Sequence, residues 1–571
     1  MAKKILVIGA VAMGPKVACR VRRLDPEAEV TVIDRDSIIS YGGCGIPYYV
    51  GGDVADIDGL RSTQSHKVRD QQFFDDVKGI KVMCEVEAVE ILRREKQVRV
   101  RHLADAGREE LLDYDKLVIA TGASPFRPPF PGSDLPNVCM VANLHHAEYI
   151  KNLIAKGKVG KAVVIGAGAI GLEMAEALTD LWDVKTTVIE MADQVLPVAL
   201  GKNMATLVQR QLEEHGVRVM TSARVNEVVQ QDDGSMKVVT DTEAVPCDLV
   251  ILSAGIRPNT GIAAEAGLAV GRSGGIMVDR RLRTSDPDIY AGGDCVEVRN
   301  LISGESMMMP LGSLANRQGR VIATNISGGS AHFDGAVGTF CIKIFDIGVS
   351  KSGLTYQQAL RAGYDPVFSI ISQADRAHFY PTSQVVYLNL IADRRTRKVL
   401  GIEAAGKMGD AVKARVDAVA SLLGKGIAEV EDICQLEIGY APPYASAMDV
   451  INNAGNALDN ILDGRNETID PVSFFKEFAE GKIKVLDIRD KSQAVDLVKK
   501  YGERWISIQQ HELRARLGEI PADEPLLVLC DTGTRSYEAQ LVLAAAGITK
   551  TRNIQGGFSL LNALDADFAR I

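Results

Sequence analysis

The chain has 571 residues, 46% hydrophobic and 24% charged, the balance of a folded globular protein of three or four domains and not of a disordered chain. A formal charge of −9 leaves no electrostatic footprint for nucleic acid. No apolar run approaches the roughly 20 residues that cross a bilayer, and nine cysteines without a CxxC pair form neither a disulfide framework nor a zinc site.

The first residues, Met1 to Gly14, have the charge-then-apolar order of a signal peptide, but they pass straight into a glycine turn with no cleavage site. A cytoplasmic protein is expected, with most cysteines as buried thiols. The strand Ile5–Ile8 enters Gly9-Ala10-Val11-Ala12-Met13-Gly14 and a helix to about Leu24; a second strand, Val30 to Ile33, ends in Asp34 beside Arg35. The unit recurs: Ala162–Ile165, then Gly166-Ala167-Gly168-Ala169-Ile170-Gly171, a helix through about Leu181, and Thr186–Ile189 ending in Glu190. In each copy an acid follows the last glycine by about 20 residues, the spacing of a dinucleotide-binding turn. Glycine lets the backbone approach a pyrophosphate, the helix N-terminus supplies the counter-field, and the acid takes the ribose hydroxyls. Glu190 is followed by Met191 and Ala192, with no basic residue for a 2′-phosphate, which favours NADH over NADPH.

Between and beyond these units, Tyr114–Gly122 reads as an apolar strand ending in a glycine turn at Ala120, Thr121 and Gly122. Leu249–Pro258, with Gly255, repeats the device, and Asp288–Asp294 sets a carboxylate after a double glycine. Alternating strands begin near residue 335. The polar stretch Leu458–Asp470 reads as a linker to a final α/β module. His145 and His146 lack metal-ligand spacing, and no metal site is expected.

Taken together, the Ala120-Thr121-Gly122 segment, the second glycine turn and the YAGGD segment ending at Asp294 resemble the two-dinucleotide flavoprotein disulfide reductases in order and spacing over about 455 residues. Ser40 to Tyr48, with the lone Cys44, is similar to the single-cysteine segment of coenzyme A disulfide reductases; NADH oxidases and peroxidases of the same branch carry a similar one. The tail resembles a rhodanese domain in three segments: Leu486–Arg489, Cys530–Ser536 (CDTGTRS) and Ile554–Phe558. A cysteine whose following loop turns its amides inward is an anion nest that favours a thiolate or persulfide.

The resemblance implies an α/β protein with two Rossmann-like dinucleotide-binding domains (FAD, NADH), an α+β dimerisation domain and a C-terminal rhodanese α/β domain. The expected boundaries are 1–150 and 279–330 for the FAD domain, 151–278 for NADH, 331–456 for dimerisation, 457–470 for the linker and 471–571 for rhodanese. It implies a homodimer acting on small-molecule sulfur substrates. FAD would meet Gly9, Ala10, Val11, Ala12, Gly14, Asp34, Arg35, Ala120, Thr121, Gly122 and Asp294. NADH would meet Gly166, Gly168, Gly171, Glu190 and Gly255. Coenzyme A, tightly bound or as a substrate carrier, would meet Arg20, Arg23 and Ser40. A run of arginines at 20, 22 and 23 also reads as a solvated helix face. Tyr380 and Tyr440 match positions that enter the partner's active site, and read equally as half-buried packing tyrosines.

By the same resemblance, Cys44 thiolate attacks the inner sulfur of a persulfide such as CoA-S-SH, releasing hydrosulfide, and electrons from NADH resolve the mixed disulfide. Cys530, with Arg535 in its loop, carries sulfane sulfur. The alternatives are an NADH oxidase or peroxidase in which Cys44 cycles through sulfenic acid, and a sulfur-trafficking sulfurtransferase. Two departures stand out. Met13 replaces a usual glycine and is expected to narrow the approach to the FAD pyrophosphate. Gly43 replaces a common asparagine, which leaves substrate identity open.

Overall fold

The structure, a computed structural model, describes residues 2–105, 107–481 and 483–568. It divides into two units: one runs to Met191 and resumes at Gly216–Ala336; the other takes Ala192–His215 and the chain from Val337.

The first unit repeats one plan twice. Strands Ile289–Ala291, Lys116–Ile119, Lys4–Ile8, Glu29–Ile33 and Lys81–Met83 form a parallel sheet in that spatial order; Arg218–Met220, Lys185–Ile189, Lys161–Ile165, Leu249–Leu252 and Val138–Met140 form its counterpart. Each is accompanied by a three-stranded antiparallel sheet, one from residues 86–113 and one from 225–247. The strands are near-continuous Ile, Leu and Val because both faces of a parallel sheet are buried. In the first sheet Ile5, Val7, Val30 and Val32 face one core, with Met13, Val17 and Ile322, while Leu6, Ile8, Ile33 and Ile119 face another with Val98, Val100 and Leu314.

The glycine turns obey the same sterics in both copies. A β-carbon on Gly9 would stand 2.2 Å from the Ala120 carbonyl oxygen, and on Gly166 2.3 Å from that of Ser253; both residues have φ above +100°. On Gly14 and Gly171 it would stand 1.9 and 2.1 Å from the carbonyl oxygens of Gly9 and Gly166, so any side chain there would push helix from strand.

In the second unit an antiparallel sheet orders Phe340–Ile344, Ile347–Gly353, Val399–Gly406, Val385–Asp393 and Pro366–Ala374, with helices Gly409–Leu423 and Val450–Leu462 packed on it. A parallel sheet follows in the order Thr468–Ile469, Thr551–Ile554, Leu526–Leu529, Lys484–Asp487 and Trp505–Ser507. Its core gathers Phe474, Phe478, Trp505 and Phe568.

Two expected boundaries are corrected. Residues 457–470 are not a linker. Leu458 is buried in the helix Val450–Leu462, and Thr468–Ile469 is an edge strand paired with Asn553–Ile554. The run is polar because Asp459 and Asp463 pair with Arg397. Residues 192–215, expected within the second dinucleotide domain, belong to the second unit. There the Gly201 amide, at the start of helix Lys202–Glu214, donates to the buried Glu403 carboxylate at 2.9 Å, and Asn203 accepts from the Val472 amide at 3.1 Å.

Candidate active site

Both turns aim an amide at the acid that closes them. Ala10 N–H donates to Asp34 at 2.6 Å, and the Asp36 amide donates to its other oxygen at 2.9 Å; Ala167 N–H donates to Glu190 at 2.8 Å. Each acid is thereby fixed at its strand end before any ribose arrives. Burial pushes the Asp34 carboxyl above its ordinary range. Outside the turns there is room: a β-carbon on Gly122, Gly168 or Gly255 would meet nothing within 4 Å. Thr121 is locked to Asn259, its hydroxyl donating to the Asn259 carbonyl at 2.6 Å and its own carbonyl accepting from the Asn259 amide group at 2.8 Å. Arg35 is exposed.

The protein leaves polar atoms for a flavin to satisfy. Among the described residues no donor reaches Asp294, whose carboxyl is raised by burial alone. Gln318, from helix Gly312–Ile326, accepts from the Gly293 amide at 2.7 Å, while its own side-chain nitrogen is buried without a partner. Asp294, Gln318 and the open Ala120–Gly122 turn thus fit the polar body of FAD, and the Gly166–Gly171 turn with Glu190 fits a nicotinamide dinucleotide. Gln318 escaped the sequence reading because it arrives from a distant helix.

Met13 does not narrow the first turn as expected. It is 3% exposed, turned into the core, with its sulfur 2.5 Å from where a Gly292 β-carbon would stand. The double glycine before Asp294 makes room for this methionine. Cys295 is buried, its sulfur against the Gly292 carbonyl at 3.2 Å, a packing thiol.

Cys44 lies in a single 3-10 turn, Gly43–Gly45, that leads into the short helix Ile46–Gly51. That helix packs on Ala169–Thr179: a β-carbon on Gly51 would touch Ala177 at 3.2 Å, and Trp182 donates to the Val50 carbonyl at 2.8 Å. The packing brings Glu173 to the Tyr48 hydroxyl and into the field of Cys44. Burial, with Glu176 one turn on, pushes the Glu173 carboxyl up to about 7. Although Cys44 is exposed, crowding around its sulfur raises the thiol, and Glu173 and Asp294 raise it further. The chain's own charges thus oppose the Cys44 thiolate. Ser40, expected to meet coenzyme A, is 5% exposed with φ +52°, its amide bonded to the Ala10 carbonyl at 2.8 Å.

The arginines separate. Arg22 is spent on the carbonyls of Pro26 and Ala28. Arg20 donates to Thr324 at 3.1 Å and shares a cationic cluster with the exposed Arg23 and Arg320. In the second unit Tyr380 is half-buried, while Tyr440 and Tyr444 are 55% and 74% exposed. Their loops are held by Arg415, which the sequence reading missed: its guanidinium donates to the carbonyls of Asp375 at 2.6 Å and Tyr444 at 3.3 Å and pairs with buried Asp449 at 2.8 Å.

Cys530 ends the strand Leu526–Leu529 and is wholly buried. Gly533 N–H donates to its sulfur at 3.1 Å and the Ser536 hydroxyl lies at 3.3 Å. Arg535 pairs with Asp531 at the loop's surface. Buried Asp487 binds Arg489 at 2.7 Å and Trp505 at 3.1 Å, and Arg489 covers the Phe558 ring at 3.8 Å. Phe558 N–H in turn donates to the Cys530 carbonyl at 2.8 Å. These segments brace the cysteine loop from below. Among the described residues no cysteine is paired and no group of side chains suits a metal ion.

Comparison with known proteins agrees with this geometry. Residues 3–319 match the model of the pyridine nucleotide-disulphide oxidoreductases, and 339–450 that of their dimerisation domain. The chain is 33% identical over 452 residues to a Pyrococcus horikoshii NAD(P)H coenzyme A polysulfide/persulfide reductase (79% of this chain, 97% of the relative). It is also 33% identical over 454 residues to a Methanocaldococcus jannaschii NADH oxidase (79% and 97%). Two solved structures span nearly the whole chain. A NAD-dependent persulfide reductase from A. fulgidus is 41% identical with TM-score 0.92, covering 98% of this chain and 99% of its own. Reduced Bacillus anthracis CoADR-RHD is 32% identical with TM-score 0.90, covering 99% of each.

Proposed function

Given that the chain belongs to the pyridine nucleotide-disulphide oxidoreductase family, we propose that it is an NADH- and FAD-dependent reductase of coenzyme A persulfide or polysulfide, with coenzyme A disulfide as a further substrate, and that it releases sulfide. The observation that carries this reading is the cradle at Cys530. The relatives matched over about 79% of the chain include an oxidase and a reductase at equal identity, so the redox half does not separate them. A buried cysteine receiving a backbone amide at 3.1 Å is a device for sulfane sulfur, for which oxygen chemistry has no use. We read the C-terminal module as a rhodanese domain on this ground.

Cys44 is the thiol for the reduction. Its thiolate attacks the inner sulfur of R–S–SH; the S–S bond breaks, HS⁻ leaves, and Cys44–S–S–R forms. Two electrons and one proton then return Cys44 to the thiolate and free R–SH. Asp294, Gln318 and the Ala120–Gly122 turn would hold FAD, whose redox chemistry would supply those electrons from NADH. Glu173 sits where a proton can be held beside the sulfur, and Glu190 without a following base selects NADH. Arg20 and Arg23, with Arg320, receive the phosphates of coenzyme A. A second copy covers the exposed Tyr440, Tyr444 and Phe379, giving a homodimer in which Tyr380 and Tyr440 serve the partner's site. The free cysteines among the described residues support a reducing compartment, the cytoplasm.

The test is anaerobic NADH oxidation with coenzyme A persulfide, coenzyme A disulfide and polysulfide in parallel, and with oxygen alone. The reading requires a sulfur substrate to outpace oxygen, and selective loss of polysulfide turnover in Cys530→Ser. NADH turnover restored only by oxygen or peroxide would establish the oxidase reading instead.

A further inference from the structure

Tyr41 brings into the loop before Cys44 a hydroxyl that the chain itself does not use. The residue is 8% exposed, and its backbone is pinned on both sides. The Ser40 amide donates to the Ala10 carbonyl at 2.8 Å, with Ser40 at φ +52°, and the Gly42 amide donates to the Leu60 carbonyl at 2.8 Å. The Tyr41 ring lies 3.8 Å from where a Gly43 β-carbon would stand. Its direction is thus fixed between the first glycine turn, which Ser40 touches at Ala10, and the Gly43–Gly45 turn that carries Cys44.

Two carboxylates act on the phenol, and both are engaged elsewhere. Asp34 accepts from the Ala10 and Asp36 amides at 2.6 and 2.9 Å; Asp36 accepts from the Ile38 amide at 3.0 Å and meets His145 Nε2 at 2.8 Å. Burial and these two charges push ionisation of the phenol well above its ordinary range, so it keeps its proton, and no hydrogen bond among the described residues acts on it. A buried tyrosine hydroxyl ordinarily finds a partner, and leaving it without one is costly. The missing acceptor belongs beside Asp34 and Ala10, where a dinucleotide places its ribose and diphosphate oxygens.

We propose that Tyr41 is a flavin-binding residue whose hydroxyl donates to an oxygen of the ribose–diphosphate stretch of FAD, tying the cofactor to the loop that carries Cys44. The inference rests on the flavin site of the family and not on which sulfur compound is reduced, so the two readings can fail separately.

The experiment compares the full-length wild type with Tyr41→Phe, which removes one oxygen and keeps the ring. Release of FAD from diluted holoenzyme, read as the rise of free-flavin fluorescence, is expected to be about three- to tenfold faster in the variant, the worth of one hydrogen bond. The FAD-free variant is expected to unfold at a temperature no lower than the FAD-free wild type. Equal release rates overturn the inference. Faster release with a lower unfolding temperature of the FAD-free chain assigns the hydroxyl to the fold and overturns it as well. A wild type that holds no FAD removes the flavin reading, and the inference with it.

Discussion

The backbone amide of Gly533 donates to the sulfur of Cys530 across 3.1 Å, from a residue held at φ +96° at the start of helix Thr534–Ala545. Only glycine adopts that backbone without cost, and a left-handed alanine costs about 1–2 kcal/mol. Gly533→Ala is therefore expected to turn the amide away and to lower thiosulfate:cyanide sulfur transfer about tenfold or more, the worth of one hydrogen bond to a charged sulfur. Cyanolysis of bound sulfur checks it; unchanged transfer would mean that the amide does not hold the reacting atom.

Glu173 and Asp294 both oppose the Cys44 thiolate. In Glu173→Gln the larger of the two opposing charge effects is gone, so the pH midpoint for alkylation of Cys44 by iodoacetamide moves down. The same substitution bears on stability. The folded protein holds the Glu173 proton up to about 7, above the ordinary value of 4.5. Its contribution to stability is complete below the lower value and is lost as pH rises through about 7. Glu173→Gln flattens that part of the pH–stability curve, which thermal unfolding between pH 4 and 8 measures (about the span of the two values).

Met13 and Gly292 share one space. Met13→Ala leaves a cavity and is expected to cost about 2–5 kcal/mol, while Gly292→Ala collides with the methionine sulfur. The double variant relieves the collision, so the two effects are coupled and do not add. Neither single change is expected to strengthen flavin binding, which fluorescence titration of the apoprotein reads.

A side chain at Gly43 would meet only the Tyr41 ring, at an ordinary 3.8 Å. Gly43→Asn is therefore expected to fold and retain flavin. It adds an amide beside the substrate sulfur, shifting the kcat/KM ratio of coenzyme A disulfide over persulfide by about three- to tenfold, one neutral hydrogen bond. A ratio within error of the wild type would show that residue 43 does not face the substrate.

What was legible in the sequence was local. A glycine turn announces itself because Gly9 and Gly14, or Gly166 and Gly171, must each lack a β-carbon within six residues of chain, and the acid that closes the unit follows at fixed spacing. The loops that carry Cys44 and Cys530 were legible for the same reason, each being short and of unusual composition. Residues that depend on packing between distant segments were not. Glu173 meets Tyr48 only because two helices touch, Gln318 reaches Gly293 from a helix 25 residues on, and Arg415 joins two loops from a third element. The polar run 457–470 misled because its acids serve Arg397, a partner about 60 residues away. Met13 misled because sequence gives a residue's place in a turn, not the direction of its side chain.

The measurement that tests the account most directly is the sulfide released per NADH oxidised with coenzyme A persulfide under anaerobic conditions, in the wild type and in Cys44→Ser. The account predicts one sulfide for each NADH in the wild type and loss of both NADH oxidation and sulfide release in the variant. Sulfide release at the wild-type rate in Cys44→Ser, or NADH oxidation without sulfide in the wild type, would contradict it.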